Sequence, residues 1–192
     1  MAQTEILREN PGTTGFSQSE THQKEHFDTM ASDYEAHFDD PYSQRYRTRF
    51  FNTPMLEGIN LSGLQVLEAM CGSGQTTDDL LSRGASVTGL DISDNLIASF
   101  KKRHPDCKAI CASILNSDLE SETFDCVVVV GGLHHIHPYV QNTIAEIHRL
   151  LKPGGYFCFT EPHRGSFPDW VRQKWYKNDS LFEDNEASID FE

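Results

Sequence analysis

The chain has 192 residues, 38% of them hydrophobic, and a formal net charge of -13. That length suits one domain burying roughly two-thirds of its unfolded surface, and the acidic balance excludes a nonspecific nucleic-acid binder, because phosphate contacts need clustered Lys and Arg. No stretch approaches the ~20 apolar residues that span a bilayer, no signal-peptide core opens the chain, and five cysteines without a CxxC pair point to reduced thiols in a cytoplasmic protein with no structural metal.

Residues 1–23 hold few apolar groups and much Thr, Gln, Ser and Gly; they cannot repay the entropy of ordering and are read as a mobile arm. From 24 to 57, Phe27, Met30, Ala31, Tyr34 and Phe38 fall at helical spacing, Pro41 interrupts, and a second helical stretch starts near Tyr42. At Gln65 the texture changes. "QVLEAM" reads as a strand, 75–83 as a helix, "SVTGLDI" as a strand and 93–103 as a helix. "CKAICAS" and "FDCVVVVGG" follow as strands, then "YVQNTIAEIHRLL" as a helix closed by "KPGG", and "YFCFTEP" as a fifth strand. Strands separated by helices predict a parallel sheet with right-handed crossovers. The unbroken run Val127–Val130 fits a central strand covered on both faces. The fold class is α/β, Rossmann-like, with helices on both faces of the sheet. Ligands of such sheets bind outside the carboxyl ends of the strands, which singles out 68–74, 91–92, 113–114, 131–135 and 161–163.

Gly72 and Gly74 lie between a strand and a helix, where a missing Cβ lets a ligand approach the main chain. Asp91 stands 19 residues beyond Gly72 at the tip of "VTGLD". Its carboxylate either accepts both hydroxyls of a ribose or caps the helix that begins near Ser93. A nicotinamide or flavin site wants a third glycine where this chain has Thr77, and a P-loop wants a lysine that is absent. What remains suits an adenosine with an uncharged link.

At this point the chain resembles the class I S-adenosylmethionine-dependent methyltransferases, in the small-molecule branch that includes ubiquinone and menaquinone biosynthesis methyltransferases. The match runs over roughly residues 25–163 through "VLEAMCGSG", "VTGLDIS", "FDCVVVVGGLHHI" and "LLKPGGYFCFTEP", with "HFDTMASDYEAHF" similar to the helix that covers the cofactor. The resemblance implies S-adenosyl-L-methionine as cofactor. Glu68 would hold its ammonium, directly or through water, and the backbone around Met70, Cys71, Gly72 and Gly74 would lie against its methionine part. Asp91 would bind the ribose and Ile92 the adenine face; Ser113 and Ile114 would border the adenine edge. Gly131 would offer its carbonyl to the ammonium, and Tyr34 would reach the carboxylate. Two positions depart from the family pattern. Met70 stands where glycine is usual, and is tolerable with a negative φ and a side chain turned into the sheet packing. Ser113 stands where Asp is usual, which weakens recognition of adenine N6 unless a neighbouring carbonyl substitutes.

"LHHIHP" brings His134, His135 and His137 together, with His163 after strand five. Adjacent side chains diverge and no nearby carboxylate or Cys completes a metal set, so no metal is expected. His135 or His134 is the candidate general base, packing under the covering helix being the other reading. The full fold of this family has two further strands, and none is evident in 164–192. There, 167–177 place Phe167, Trp170, Val171 and Trp175 on one helical face, either capping the sheet or touching a membrane. An open edge on strand five asks for cover by this tail or by a second copy in a homodimer. The expected activity is O- or C-methylation of a small-molecule acceptor. The rivals are a noncatalytic S-adenosylmethionine-binding scaffold and a nicotinamide-dependent oxidoreductase.

Overall fold

The computed structural model describes residues 18–38, 40–136 and 138–161, with the first helix described as backbone only at 18–19 and 32–38. Helix α1 (Gln18–Phe38) is followed by α2 (Pro41–Arg47), a π-helical turn (Thr48–Asn52) and α3 (Thr53–Met55). Asp40 caps α2 by accepting the N–H of Tyr42 at 2.9 Å and of Ser43 at 3.2 Å, so the chain restarts helix directly at Pro41, a residue suited to a first turn. Five strands follow, joined by helices except between β3 and β4: β1 (Gln65–Ala69), α4 (Thr77–Ser82), β2 (Ser86–Asp91), α5 (Asp94–Arg103), β3 (Lys108–Cys111), β4 (Phe124–Val130), α6 (Val140–Leu150) and β5 (Leu151–Thr160). A short 3-10 helix, Leu133–Ile136, precedes α6.

The strands form one sheet in the order β3-β2-β1-β4-β5, every pair parallel. β1 is central, with Val66 opposite Val87 on one side and Cys126 on the other. Side chains alternate between two buried layers. Leu67, Ala69, Val127 and Val129 pack with Ile147 and Leu150 of α6, whereas Val66, Val87, Cys126 and Val128 pack with Leu80 of α4 and with Leu56 and Leu61. Both faces of the central strands are dry, which is why "VVVV" need not alternate.

Two elements differ from the sequence expectation. α1 begins at Gln18, so residues 18–23 belong to the helix rather than to the arm. β5 begins at Leu151, with a register irregularity between Phe124 and Cys126 on β4 that absorbs "KPGG" into the strand. The expected helix at 167–177, read as capping the sheet or touching a membrane, and His137 and His163, lie outside the described residues. Among the described residues no helix is long and apolar enough to cross a membrane.

Gly89 on β2 fixes the seat of α5. A Cβ there would lie 2.6 Å from two ring carbons of the fully buried Phe100 and 3.0 Å from Cys71 Sγ. Gly89→Ala is therefore expected to lower stability by about 1–3 kcal/mol through overpacking, read as a lower urea midpoint at unchanged m-value. An unchanged midpoint would mean that α5 shifts on the sheet without cost.

Candidate functional site

The chain leaves β1 through a tight loop. Cys71 N–H donates to Leu90 O at 3.0 Å and Gly74 N–H to Cys71 O at 2.9 Å. Met70, Gly72 and Gly74 all adopt positive φ, at 57°, 55° and 87°. Met70 thus departs from the expected negative φ. A non-glycine side chain in the left-handed region costs roughly 1–2 kcal/mol, and here its packing offsets that cost: Met70 lies against the α6-side core and its sulfur sits over Gly132. The second half of the expectation, a side chain turned into the packing, therefore stands. Below the loop, Glu68 is buried and accepts the Thr77 hydroxyl at the start of α4. Burial pushes its carboxyl up to about 7, against the Thr77 bond. From α5's end, the buried His104 donates through Nε2 to Gly74 O at 3.1 Å.

Asp91, 7% exposed, links β2 to this loop. It accepts the N–H of Gly72 at 2.8 Å and of Ser93 at 3.0 Å, one on each carboxylate oxygen. Burial raises its pKa, opposed by these N–H groups. The cap of α5 is Ser93, whose Oγ accepts Leu96 N–H at 3.1 Å. Asp91 is thus not the capping side chain.

α1 lies across the strand ends and is tied to α5. Asp28 accepts Ser93 Oγ–H at 2.5 Å and Asn95 N–H at 3.2 Å, and Lys24 reaches Asp28 at 2.6 Å and Asp94 at 2.7 Å. Also on α1, the Phe27 ring meets His135 edge-on with centroids 5.0 Å apart.

After β4, Gly131 has φ 66° and donates its N–H to Thr160 O at 2.8 Å. The next turn is held by Glu161, whose side chain is 1% exposed. Its Oε1 accepts the N–H groups of Gly132 and Leu133, both at 2.7 Å, and its Oε2 accepts His134 Nδ1–H at 2.8 Å. The His134 ring lies 3.9 Å from that of His135. Burial, then His134 and His26, hold His135 well below the ordinary histidine range, so it is neutral at physiological pH.

These segments enclose a cleft of about 790 Å³, measured out to open solvent. Of the residues singled out in the sequence, Met70, Gly72, Asp91 and Ile92 are on its wall, and so are Ser113, Ile114, Gly131 and His135. Glu68, Cys71, Gly74 and His134 are not part of that wall. Glu68, Gly74 and His134 instead hold bonds beneath or beside it, and Cys71 is buried against Ile97 and Phe100. The Tyr34 side chain lies outside the described residues. The reading of the sequence placed Glu161 in the 161–163 segment after strand five but gave it no role, and it missed His104, Asp28 and Gln23, which carried no signal.

The donor set fits S-adenosylmethionine. The Asp91 carboxylate has four lone pairs and takes backbone bonds from Ser93, Gly72 and Ile92, which leaves acceptor capacity for a ribose hydroxyl. Ile92, Ala112, Ile114 and Leu115 give a base an apolar slot. Among the described wall residues there is no Lys or Arg for a pyrophosphate.

Comparison with known proteins agrees with this geometry. A methyltransferase domain family matches residues 67–159. An uncharacterized methyltransferase of Synechocystis sp. (sll0829) is 36% identical over 125 residues, covering 64% of this chain and 58% of that protein. A demethylmenaquinone methyltransferase of Beutenbergia cavernae is 30% identical over 109 residues, covering 57% and 44%. The crystal structure of an S-adenosylmethionine-dependent methyltransferase from Mesorhizobium loti superposes with a TM-score of 0.52 at 29% identity, covering 57% of this chain and 51% of that one. The chain thus spans about half the length of these relatives. A parallel sheet in the order 3-2-1-4-5, a buried carboxylate at the end of β2 and these matches agree: over residues 67–159 the chain is similar to the class I S-adenosylmethionine-dependent methyltransferases.

Proposed function

We propose that the protein transfers a methyl group from S-adenosylmethionine to a small-molecule acceptor, by O- or C-methylation of an aromatic or quinone-like molecule. The observation that carries this reading is the cleft itself, which gathers the ends of β1, β2, β3 and β4 around the Asp91 carboxylate. When bound, S-adenosylmethionine supplies an electrophilic methyl group on a sulfonium. Asp91 would take the ribose hydroxyls, and Ile92 and Ile114 the faces of the base. The backbone from Met70 to Gly72 and Gly131 would border the methionine part, with Glu68 acting on the ammonium from below, directly or through water.

Methyl transfer from a good leaving group needs alignment and exclusion of water more than chemical assistance. α1, fastened by Asp28 and Lys24, supplies the cover. His135 is neutral and on the cleft wall, so it is able to accept a proton from an acceptor hydroxyl that is still protonated at the working pH. His134 is committed to Glu161, and its role is to set the position of His135. The demethylmenaquinone methyltransferase among the relatives supports a quinone-like acceptor.

A thermal-shift titration with S-adenosylmethionine, S-adenosylhomocysteine and NADH tests the cofactor. A ligand specific to the folded state adds about 2.7 kcal/mol at 100 times its dissociation constant. The expected result is stabilisation by the two sulfur nucleotides and none by NADH. Stabilisation by NADH alone would turn the reading to an oxidoreductase. Binding of the sulfur nucleotides without turnover of any acceptor would leave a scaffold.

A further inference from the structure

The wall of the cleft contains a polar atom with nothing to bind. Gln23 Oε1, on α1, is buried and has no hydrogen-bond partner. A buried carbonyl left unpaired costs the fold its desolvation, and an apolar side chain at this position of the wall would avoid that cost. Its place in the cleft is defined by its neighbour. Lys24 is 2.7 Å from Asp94, and Asp94 accepts Cys111 Sγ–H at 3.0 Å, so this turn of α1 lies over the end of β3. The wall there is formed by Ile92, Ser113, Ile114 and Leu115, the slot assigned to the base.

That slot has few side-chain acceptors. Ser113 Oγ accepts Leu115 N–H at 3.1 Å and keeps one lone pair, and Ile92, Ile114 and Leu115 have no polar side-chain atoms. Glu20, one turn earlier on the same wall, already has a partner. The exocyclic amine of adenine is a donor that needs an acceptor at the rim of such a slot.

We propose that Gln23 accepts the hydrogen bond of the adenine exocyclic amine, so that α1 reads the base as well as covering it. The proposal rests on the cofactor reading above. Ser113 then need not carry that recognition, and closure of α1 is coupled to the presence of an amino-purine.

The test is a double-mutant cycle by calorimetry on the full chain. Its ligands are S-adenosylhomocysteine and the analogue bearing hydrogen in place of the exocyclic amine; its proteins are the parent, Gln23→Leu and Gln23→Glu. Losing a hydrogen bond that leaves a buried group unpaired is worth about tenfold in affinity, so the parent is expected to prefer the amine by about that factor. Gln23→Leu should bring the preference within about twofold, by weakening S-adenosylhomocysteine and not the analogue, with no fall in the melting temperature of the free protein. Gln23→Glu, which keeps an acceptor, should retain the preference. If Gln23→Leu binds both ligands with the parental preference, the assignment is wrong. If the parent binds neither, the cofactor reading itself falls and takes this proposal with it.

Discussion

Asp91→Ala is expected to abolish stabilisation by S-adenosylhomocysteine and to lower the stability of the free protein by about 2–4 kcal/mol. The size follows from what the carboxylate holds. Gly72 N–H and Ser93 N–H lose their acceptor together, at a position only 7% exposed. Each unpaired buried donor costs about 1–3 kcal/mol. Gly72 is a loop residue between Met70 and Gly74, so losing its anchor also frees the backbone proposed to border the ligand. Asp91→Asn keeps one acceptor oxygen but turns an amide N–H₂ toward the other backbone donor, and should fall between the two. Urea unfolding gives the first quantity and a ligand thermal shift the second. An Asp91→Ala protein that still gained about 2.7 kcal/mol at 100 times the parental dissociation constant would place the ribose elsewhere in the cleft. A variant with parental stability but no ligand response would show that the loop stands without Asp91.

The strands were readable because each buries a face that repeats along the chain. Val66, Val87, Cys126 and Val128 form one layer, and the parity of the apolar residues in "QVLEA" and "SVTGLD" already implies it. Asp91 was readable as a site but left two roles open, ribose acceptor and helix cap. The structure shows why spacing alone could not choose between them. Ser93, two residues on, performs the capping, and the Asp91 carboxylate turns back to the β1 loop. Met70 illustrates a different limit. Its positive φ is imposed by the Cys71–Leu90 and Gly74–Cys71 bonds around it, and a methionine in the sequence carries no sign of that geometry. The start of α1 at Gln18 was hidden because 18–23 is polar. Helix order there comes from contacts made elsewhere, by Lys24 and Asp28 with α5, and composition reports only what a segment can bury by itself. Glu161 gathers Gly132, Leu133 and His134 from about 27 to 29 residues away, a convergence that exists only once β4 and β5 pair.

Glu68→Gln is expected to stabilise the free protein in alkaline solution and to leave it nearly unchanged in acid. The Glu68 carboxyl is buried beneath the loop with the Thr77 hydroxyl as its bonded side-chain partner, and burial raises its pKa from 4.5 to about 7. Between those values the folded chain holds a proton that the unfolded chain has released. A raised carboxyl pKa therefore gives stability that is fully present below 4.5 and is lost as pH rises through about 7. The slope is at most about 1.4 kcal/mol per pH unit, so the loss sums to about 3 kcal/mol by pH 8. Glutamine keeps an acceptor for Thr77 and has no proton to lose, which removes this part of the pH dependence. Urea midpoints of the two proteins from pH 4 to 8 should coincide at the acid end and separate as pH rises, with the variant the more stable. Parallel curves would mean that Glu68 titrates in the fold as it does in the unfolded chain, its burial offset by a cation such as the nearby Arg47. On the proposed reading the same carboxyl also faces the ligand's ammonium. An ammonium brought near Glu68 favours the ionised form, so binding should expel its proton around pH 6, and calorimetry in two buffers of different ionisation enthalpy would count it. A proton released by the parent and not by Glu68→Gln would connect the strained loop, the buried acid and the ligand's positive end as one electrostatic unit.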